Sequence, residues 1–500
     1  MNMGNTPLKG LPLIWGTIAI ALANFMIVLD TTIANVSIPT ISGDLGISTT
    51  EGTWVITSYA VAEAITVPLA GWLVHRFGQI RLFISCVVIF MFFSLLCGLS
   101  WSLESLVLFR ILQGLSGGPL IPLSATLLIS IYPKDKSTIA VALWGMTTVV
   151  APIIGPILGG WLCDNYSWPW IFYINLPIGI IIGISAWILL RSRETETKRV
   201  PIDVIGLTLL IIFVSALQLM IDKGKELDWF SSSFIITCAV ISVISLIFFV
   251  IWELTDENPI VDLSVLKSRN WILSTLAVSL MFGLFFGNVV ISPIWLQQQM
   301  GYTAFWAGLV IAPMGILSVV TSPIVGKLLQ KLDPRWIVTC GMCILALSFY
   351  LRALFTIEVG YWEIALPMFI LGAGVPACIV TLTSLGVSDL PSEKATNGAG
   401  LQNFFRVMSM AIGGSLSQTY WEHQGKVNRA ELVSIIDVHN MPNSTIDSSL
   451  NQFSLLVDQQ AMMLATNDFY ALACILMLIF AVVVWFIKPS KTPLKQNTGH

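Results

Sequence analysis

The sequence predicts an all-α polytopic membrane protein of fourteen transmembrane helices: two six-helix halves with two further helices inserted between them. Three observations predict it. The 500 residues are 56% hydrophobic and 11% charged, against roughly 25% charged in soluble domains, so lipid has to be the solvent for most of the surface. The apolar residues gather into runs of about 20, the length of helix that crosses a hydrocarbon core. A short segment also recurs. Pro68-Leu-Ala-Gly71-Trp-Leu73-Val-His-Arg76 matches Pro323-Ile-Val-Gly326-Lys-Leu328-Leu-Gln-Lys331 at an offset of 255 positions. Each copy ends a span and opens a basic turn, the mark of parallel repeats.

The spans fall at about 13–38, 54–74, 82–100, 104–131, 139–162 and 170–190 for the first half, 204–222 and 232–252 for the inserted pair, and 271–297, 304–326, 336–355, 362–388, 398–420 and 467–487 for the second half. The domain boundaries that follow are 1–200, 201–262 and 263–500, with an outside polar segment at about 421–466. That segment carries scattered Leu, Ile and Val and the stretch Met441-Pro442-Asn443-Ser444, and reads either as a docking element or as a loop. Asn443-Ser444-Thr445 is a glycosylation triplet of low specificity. Trp54, Trp101, Trp229, Trp271, Trp336, Trp362 and Trp485 sit at span ends, where aromatic belts belong.

Lys and Arg set the orientation. With both termini in the cytoplasm, the inner segments hold most of them, including Arg76, Arg81, Lys134, Lys136, Lys198, Arg199, Lys331, Lys488, Lys491 and Lys495; the outer loops hold Lys223, Lys225, Lys426 and Arg429. The first apolar stretch is too long for a signal-peptide core and lacks a small-residue cleavage site, so it stays as a span. The net charge of −3 offers no footprint for nucleic acid. The eight Cys lie in or beside apolar runs; Cys340 and Cys343 have CxxC spacing but no second pair, and packing is the simpler reading. No phosphate-binding loop, HExxH or nucleophile elbow occurs. The chain therefore reads as a non-enzyme, with no cofactor and no metal site.

Few charges lie within the spans. An ionised Asp at membrane depth costs roughly 2.5–3.5 kcal/mol on insertion scales, so such residues usually face a bundle interior and carry protons or bind ions. Counting from the outer ends at about 1.5 Å per residue puts Asp30, Glu63 and Arg110 about 12–14 Å deep in one layer. An Arg beside a carboxylate favours its charged form and apolar burial the neutral form; opposed in this way, they let substrate or conformation decide protonation. A static salt bridge between Asp30 and Arg110 is the alternative. Glu63 either faces the cavity or snorkels. Arg406, about 12 Å from the inner side, binds an anionic group or serves a structural or gating role, and Arg352 near an outer end is expected to snorkel. In span five, Gly155-Pro156-Ile-Leu-Gly159-Gly160 places small residues at i and i+4 beside a helix-kinking Pro, which permits close helix approach.

These segments together resemble the fourteen-span drug:proton antiporter branch of the major facilitator superfamily, from about residue 12 to residue 490. The resemblance rests on Leu29-Asp30-Thr31-Thr32-Ile33-Ala34-Asn35-Val36, Gly71-Trp72-Leu73-Val74-His75-Arg76-Phe77-Gly78, Arg110-Ile111-Leu112-Gln113-Gly114 and Gly155-Pro156-Ile157-Leu158-Gly159-Gly160. It rests also on Trp170-Ile171-Phe172-Tyr173-Ile174-Asn175-Leu176-Pro177 and the run from Trp252-Glu253 to Asp262-Leu263. It implies a major facilitator fold and alternating-access, proton-coupled efflux of lipophilic drugs across a bacterial inner membrane. Asp30 would be a coupling carboxylate and Arg110 its buried partner. Gly71, Arg76 and Gly78 would belong to a conformational latch, and Gly155, Pro156, Gly159 and Gly160 would mark the antiporter branch. It also implies partners: lipophilic substrates, protons, a periplasmic adaptor protein and a TolC-type outer-membrane channel. One departure stands out. The family often has Asp where His75 stands and a basic residue where Gln79 stands, which puts an Asp-based latch in doubt. A proton-coupled importer or facilitator, and a non-transporting membrane sensor, remain as alternatives.

Overall fold

In the computed structural model the described residues are 7–133, 136–197, 203–224, 227–256, 259, 261, 263–329, 331–390, 392–435 and 446–488. Among them there is helix and no strand. In chain order the helices are α1 (Leu11–Leu45), α2 (Thr49–Gly52), α3 (Trp54–Thr66), α4 (Ala70–Phe77), α5 (Gln79–Gly98), α6 (Leu103–Ile131), α7 (Ser137–Asn165), α8 (Trp170–Tyr173) and α9 (Asn175–Leu190). They continue with α10 (Val204–Gly224), α11 (Ser233–Thr255), α12 (Arg269–Gln298), α13 (Ala304–Ile311), α14 (Pro313–Leu328), α15 (Pro334–Arg352), α16 (Tyr361–Ser388), α17 (Ser392–Ile435) and α18 (Ile446–Val483).

Helix ends follow local chemistry. Gly46, at φ 66, closes α1 in the left-handed region that glycine reaches without a Cβ clash. Ser102 and Ser105 form a reciprocal cap at the start of α6, and Asp333 followed by Pro334 opens α15. The break between α3 and α4 is a 61° bend at Val67-Pro68-Leu69, where Pro68 has no N–H to give the helix. Its repeat partner Pro323 lies inside the unbroken α14, so the two copies of the repeat differ in shape.

Two groups of helices pack chiefly within themselves: α1 to α9, and α12 to α18. One core is built entirely from residues between Ala277 and Ile487. Another runs mainly from Ile20 to Trp271 and takes in Leu401, Phe404, Val407 and Met408 of α17. The groups meet where α7 packs on α13, α14 and α16, and where α17 packs on α3, α4 and α6. The pair α10–α11 is joined to both. Thr57 of α3 donates to Asp222 of α10 at 2.5 Å, and Ser415 of α17 donates to the Ile221 carbonyl at 3.1 Å. The Trp252-Glu253 run clasps the end of this pair where α10 begins and α11 ends: Trp252 donates to Asp203 at 2.9 Å and Glu253 accepts from the Val261 N–H at 3.0 Å.

Several expectations are corrected. Twelve described helices are long and apolar enough to cross a membrane, thirteen if the bent α3–α4 pair is one span; the expected count of fourteen is not reached on that criterion. The remaining segment, 398–420, lies in α17, whose hydropathy is diluted by buried Gln402, Asn403, Arg406 and Ser417. Gly71 to Phe77 lie in helix α4, set off from α3 by the bend at Pro68 and ended by Gly78 at φ 88. Trp271 is 1% exposed and donates to the Gly398 carbonyl at 3.1 Å, so it is core and not belt. Arg352 does not snorkel: it is fully buried, with Nη1 donating to Asn288 at 2.5 Å and its guanidinium 4.3 Å from the Tyr470 ring centroid.

The described parts of 421–466 are helix. α17 has 44 residues, about 66 Å at ~1.5 Å per residue, far more than a ~30 Å hydrocarbon core needs. Along 421–468 α17 and α18 remain paired. Trp421 donates to Thr466 at 2.8 Å, Asn428 to Asp468 at 3.1 Å, and Arg429 is ion-paired with Asp458. Lys134, Lys198, Arg199, Lys225, Glu257, Asn258, Ile260, Asp262, Lys491, Lys495 and the Met441–Thr445 stretch lie outside the described residues.

The α12–α17 crossing is a close backbone approach in the second group. A Cβ on Gly413 would stand 2.3 Å from the Gly283 Cα, whereas one on Gly414 would meet only Val290 at 3.6 Å. Gly413→Val is therefore expected to lower the thermal midpoint of the solubilised protein, overpacking costing about 1–3 kcal/mol. Gly414→Ala should be tolerated. Scanning fluorimetry of both variants checks this.

Candidate functional site

Three of the motif segments converge on one carboxylate. Asp30, on α1, is 1% exposed. Its Oδ2 accepts from Arg110 Nη1 of α6 at 2.5 Å. Its Oδ1 accepts from Gln113 Nε2 of α6 at 3.1 Å and from Asn175 Nδ2 of α9 at 2.6 Å. Arg110 in turn donates from Nε to the Val55 carbonyl at 3.0 Å and from Nη1 to Gln113 at 2.8 Å. Its guanidinium lies 4.1 Å from the Tyr59 ring centroid and 5.5 Å from that of Phe172. Asn175 is steadied by Ser94, to which it donates at 3.0 Å. A desolvated ion pair survives only when its remaining donors and acceptors are met, and this shell largely meets them. Gln113 and Asn175 were not picked out from the sequence as site residues. Both stand inside quoted motifs, three residues after Arg110 and two before Pro177, and that was the available signal.

Local sequence makes room for the pair. Gly114 and Gly118 on α6 lie against α3, where a Cβ would meet the Tyr59 carbonyl at 2.5 Å and the Glu63 carbonyl at 2.5 Å. On the other side, a Cβ on Gly155 of α7 would meet Thr32 Oγ1 at 2.3 Å, and one on Gly159 would meet the Ile33 carbonyl at 3.0 Å. The antiporter-type glycines thus seat α7 on α1 directly after Asp30. Gly160 and Pro156 are buried in the same helix.

Glu63 is buried at 6% exposure but has no hydrogen bond or ion pair to Asp30 or Arg110. It feels the charges of Asp30, Arg110 and Arg406. Arg406 is 4% exposed and makes no hydrogen bond to Asp30 or to its partners among the described residues; the charge of Glu63 acts on it.

Gly71 is half-buried and Arg76 exposed; Arg76 lies 5.9 Å over the Trp72 ring on its own helix. Gly78 has φ 88, and a Cβ there would meet the Glu194 carboxylate at 2.5 Å. Glu194 accepts from the N–H groups of Ile80 at 3.0 Å and Arg81 at 2.9 Å, and pairs with the Arg81 side chain at 3.9 Å. The start of α5 is thus capped by Glu194, from the segment that follows α9. Sequence spacing gave no signal for it. Cys340 and Cys343 are exposed on α15, all eight thiols are free, and no metal-type cluster occurs among the described residues.

A bonded ion pair sealed inside a bundle of apolar spans marks a polytopic membrane protein with a functional centre at the level of its spans. The family model of the Major Facilitator Superfamily matches residues 20–414, and the chain belongs to that superfamily. It is 45% identical to the multidrug export protein EmrB of Escherichia coli, with 97% of each chain covered. It is 42% identical to the fatty acid resistance protein FarB of Neisseria gonorrhoeae, covering 97% of this chain and 98% of that one. A crystal structure of the peptide transporter POT with sulfate matches at TM-score 0.63 and 13% identity, covering 97% of this chain and 96% of that one; this likeness concerns the fold alone.

Two outcomes follow from the geometry. Arg110→Met, which strands Asp30, is expected to destabilise by about 3–5 kcal/mol, and adding Asp30→Asn should recover much of the loss; thermal unfolding of the single and double variants in detergent tests this. Glu194→Ala removes a helix cap worth about 1 kcal/mol, and hydrogen exchange should quicken at Ile80 and Arg81 while the amides of α6 are unaffected.

Proposed function

We propose that this chain exports lipophilic drugs or other toxic compounds across a bacterial inner membrane, in exchange for protons and by alternating access. The observation that carries the proposal is Asp30, held by a buried Arg and two neutral amides. A proton arriving at Asp30 cancels the charge that binds Arg110, and the freed guanidinium must find new acceptors, which favours a different helix arrangement. The Asp30 shell draws on α1, α6 and α9, so the change reaches three helices at once. The likeness to export proteins over nearly the whole chain supports the direction of transport.

In this reading residues 1–200 and 263–500 are the two rocking halves, and 201–262 an inserted pair bonded to each. Asp30 and Arg110 carry the coupling, with Glu63 a second acid. Asp30, Glu63 and Arg406 face the substrate path. Gly155, Pro156, Gly159 and Gly160 form the contact about which α1 and α7 move, and Gly71, Arg76 and Gly78 the inner turn that sets α4 against α5. The Lys and Arg distribution supports cytoplasmic termini. The paired extension of α17 and α18 would then stand outside the membrane. We assign to it the contact with a periplasmic adaptor, through which a TolC-type outer-membrane channel would complete a tripartite pump.

The test is drug-driven proton flux in vesicles bearing an imposed pH difference. Lipophilic drugs are expected to dissipate the gradient with the wild-type protein and to fail with Asp30→Asn. An Asp30→Asn variant that couples like wild type would remove Asp30 from the mechanism, and a wild type that moves no protons with any drug would remove the antiport reading.

A further inference from the structure

Arg406 lacks the shell that Arg110 has. It sits on α17 with its guanidinium 4.8 Å from the Trp144 ring centroid of α7 and 5.1 Å from that of Phe282 of α12. It is 4% exposed, and its Nε is buried with no acceptor. No hydrogen bond or ion pair to this side chain occurs among the described residues; the charge that acts on it is Glu63 of α3. Aromatic faces stabilise a cation but take up none of its N–H donors, and an unmet buried donor is costly. By contrast the buried Arg110 and Arg352 each leave one Nη2 unmet but bond through Nη1, to Asp30 and to Asn288.

The surroundings of Arg406 come from both groups of helices: Glu63 and Trp144 from the first, Phe282 and Arg406 itself from the second. One base and two flat rings therefore meet where the groups meet, within reach of the charge of Glu63. A planar guanidinium without acceptors is suited to a carboxylate or sulfonate, which it can take with two parallel N–H bonds. The flanking rings offer surface to an apolar body, and Glu63 opposes an anion by like charge. We propose that Arg406 is the specificity-determining residue for lipophilic substrates that bear an acidic group. It receives that group, with Trp144 and Phe282 against the substrate's apolar part. The proposal rests on the export reading for its biological meaning, but not for its binding chemistry.

Two fluorescent probes differ only by the acidic group: 8-anilinonaphthalene-1-sulfonate, and N-phenyl-1-naphthylamine, which lacks the sulfonate. Their affinities for the full-length protein are measured side by side for wild type, Arg406→Gln, Arg406→Lys and Glu63→Gln at equal protein loading, so that partition into lipid cancels. The expected result is a fall of at least tenfold in the sulfonate-to-neutral affinity ratio for Arg406→Gln, largely restored in Arg406→Lys, and a rise of severalfold in Glu63→Gln. A ratio unchanged in Arg406→Gln overturns the proposal, whether both affinities fall together, as a merely structural Arg would make them, or neither moves. Gradient-driven export of the neutral probe by the wild type is followed in the same vesicles. Its absence alongside an Arg406-dependent ratio would sink the export reading and leave the binding assignment standing.

Discussion

The structure depends on keeping one ion pair out of water. Moving a carboxylate and a guanidinium into a low-dielectric interior costs several kcal/mol per ion, and only close, well-bonded partners offset it. Asp30 and Arg110 meet that condition through Gln113, Asn175, the Val55 carbonyl and the Tyr59 ring. Each of these partners belongs to a helix that must be held at a fixed distance and rotation. The ion pair thus constrains the placement of α1, α3, α6 and α9 together, and a change of charge at one atom acts on all four.

Small residues are the means by which the backbone complies. The α6 glycines let α3 come near enough to present the Val55 carbonyl and the Tyr59 ring, and the α7 glycines let α1 lie close beside Thr32 and Ile33. In lipid there is little hydrophobic force between helices, so close packing of this kind has to supply much of the association. The α12–α17 crossing at Gly283 and Gly413 uses the same device in the second group.

The two groups treat their buried cations differently. In the first, Arg110 faces a carboxylate. In the second, Arg352 faces an amide and two rings, Phe349 and Tyr470, and Arg406 faces the rings of Trp144 and Phe282 with no hydrogen-bond acceptor among the described residues. A carboxylate can lose its charge to a proton, whereas an amide or a ring cannot. Charge that can be switched is therefore concentrated among the helices of the first group, and the second offers fixed positive charge to whatever lies between them.

Much of this was legible in the chain. Apolar runs of membrane length fixed the class, because hydrocarbon tolerates few polar groups and leaves a strong one-dimensional signal. The rarity of charges within those runs singled out Asp30, Glu63 and Arg110, and a constant rise per residue placed them at similar depth. Rotation about each helix axis leaves no such trace. Only the folded chain decided that Asp30 bonds Arg110 while Glu63 stays unbonded to either, that Arg352 and Trp271 point inward, and that Glu194 crosses more than a hundred residues of sequence to close the start of α5. These outcomes depend on which faces meet, and that is set by packing of side chains far apart in sequence. The polar segment 421–466 stayed open in the sequence for a related reason: the pairing of its described parts, in α17 and α18, is made by contacts between helices, which composition cannot express.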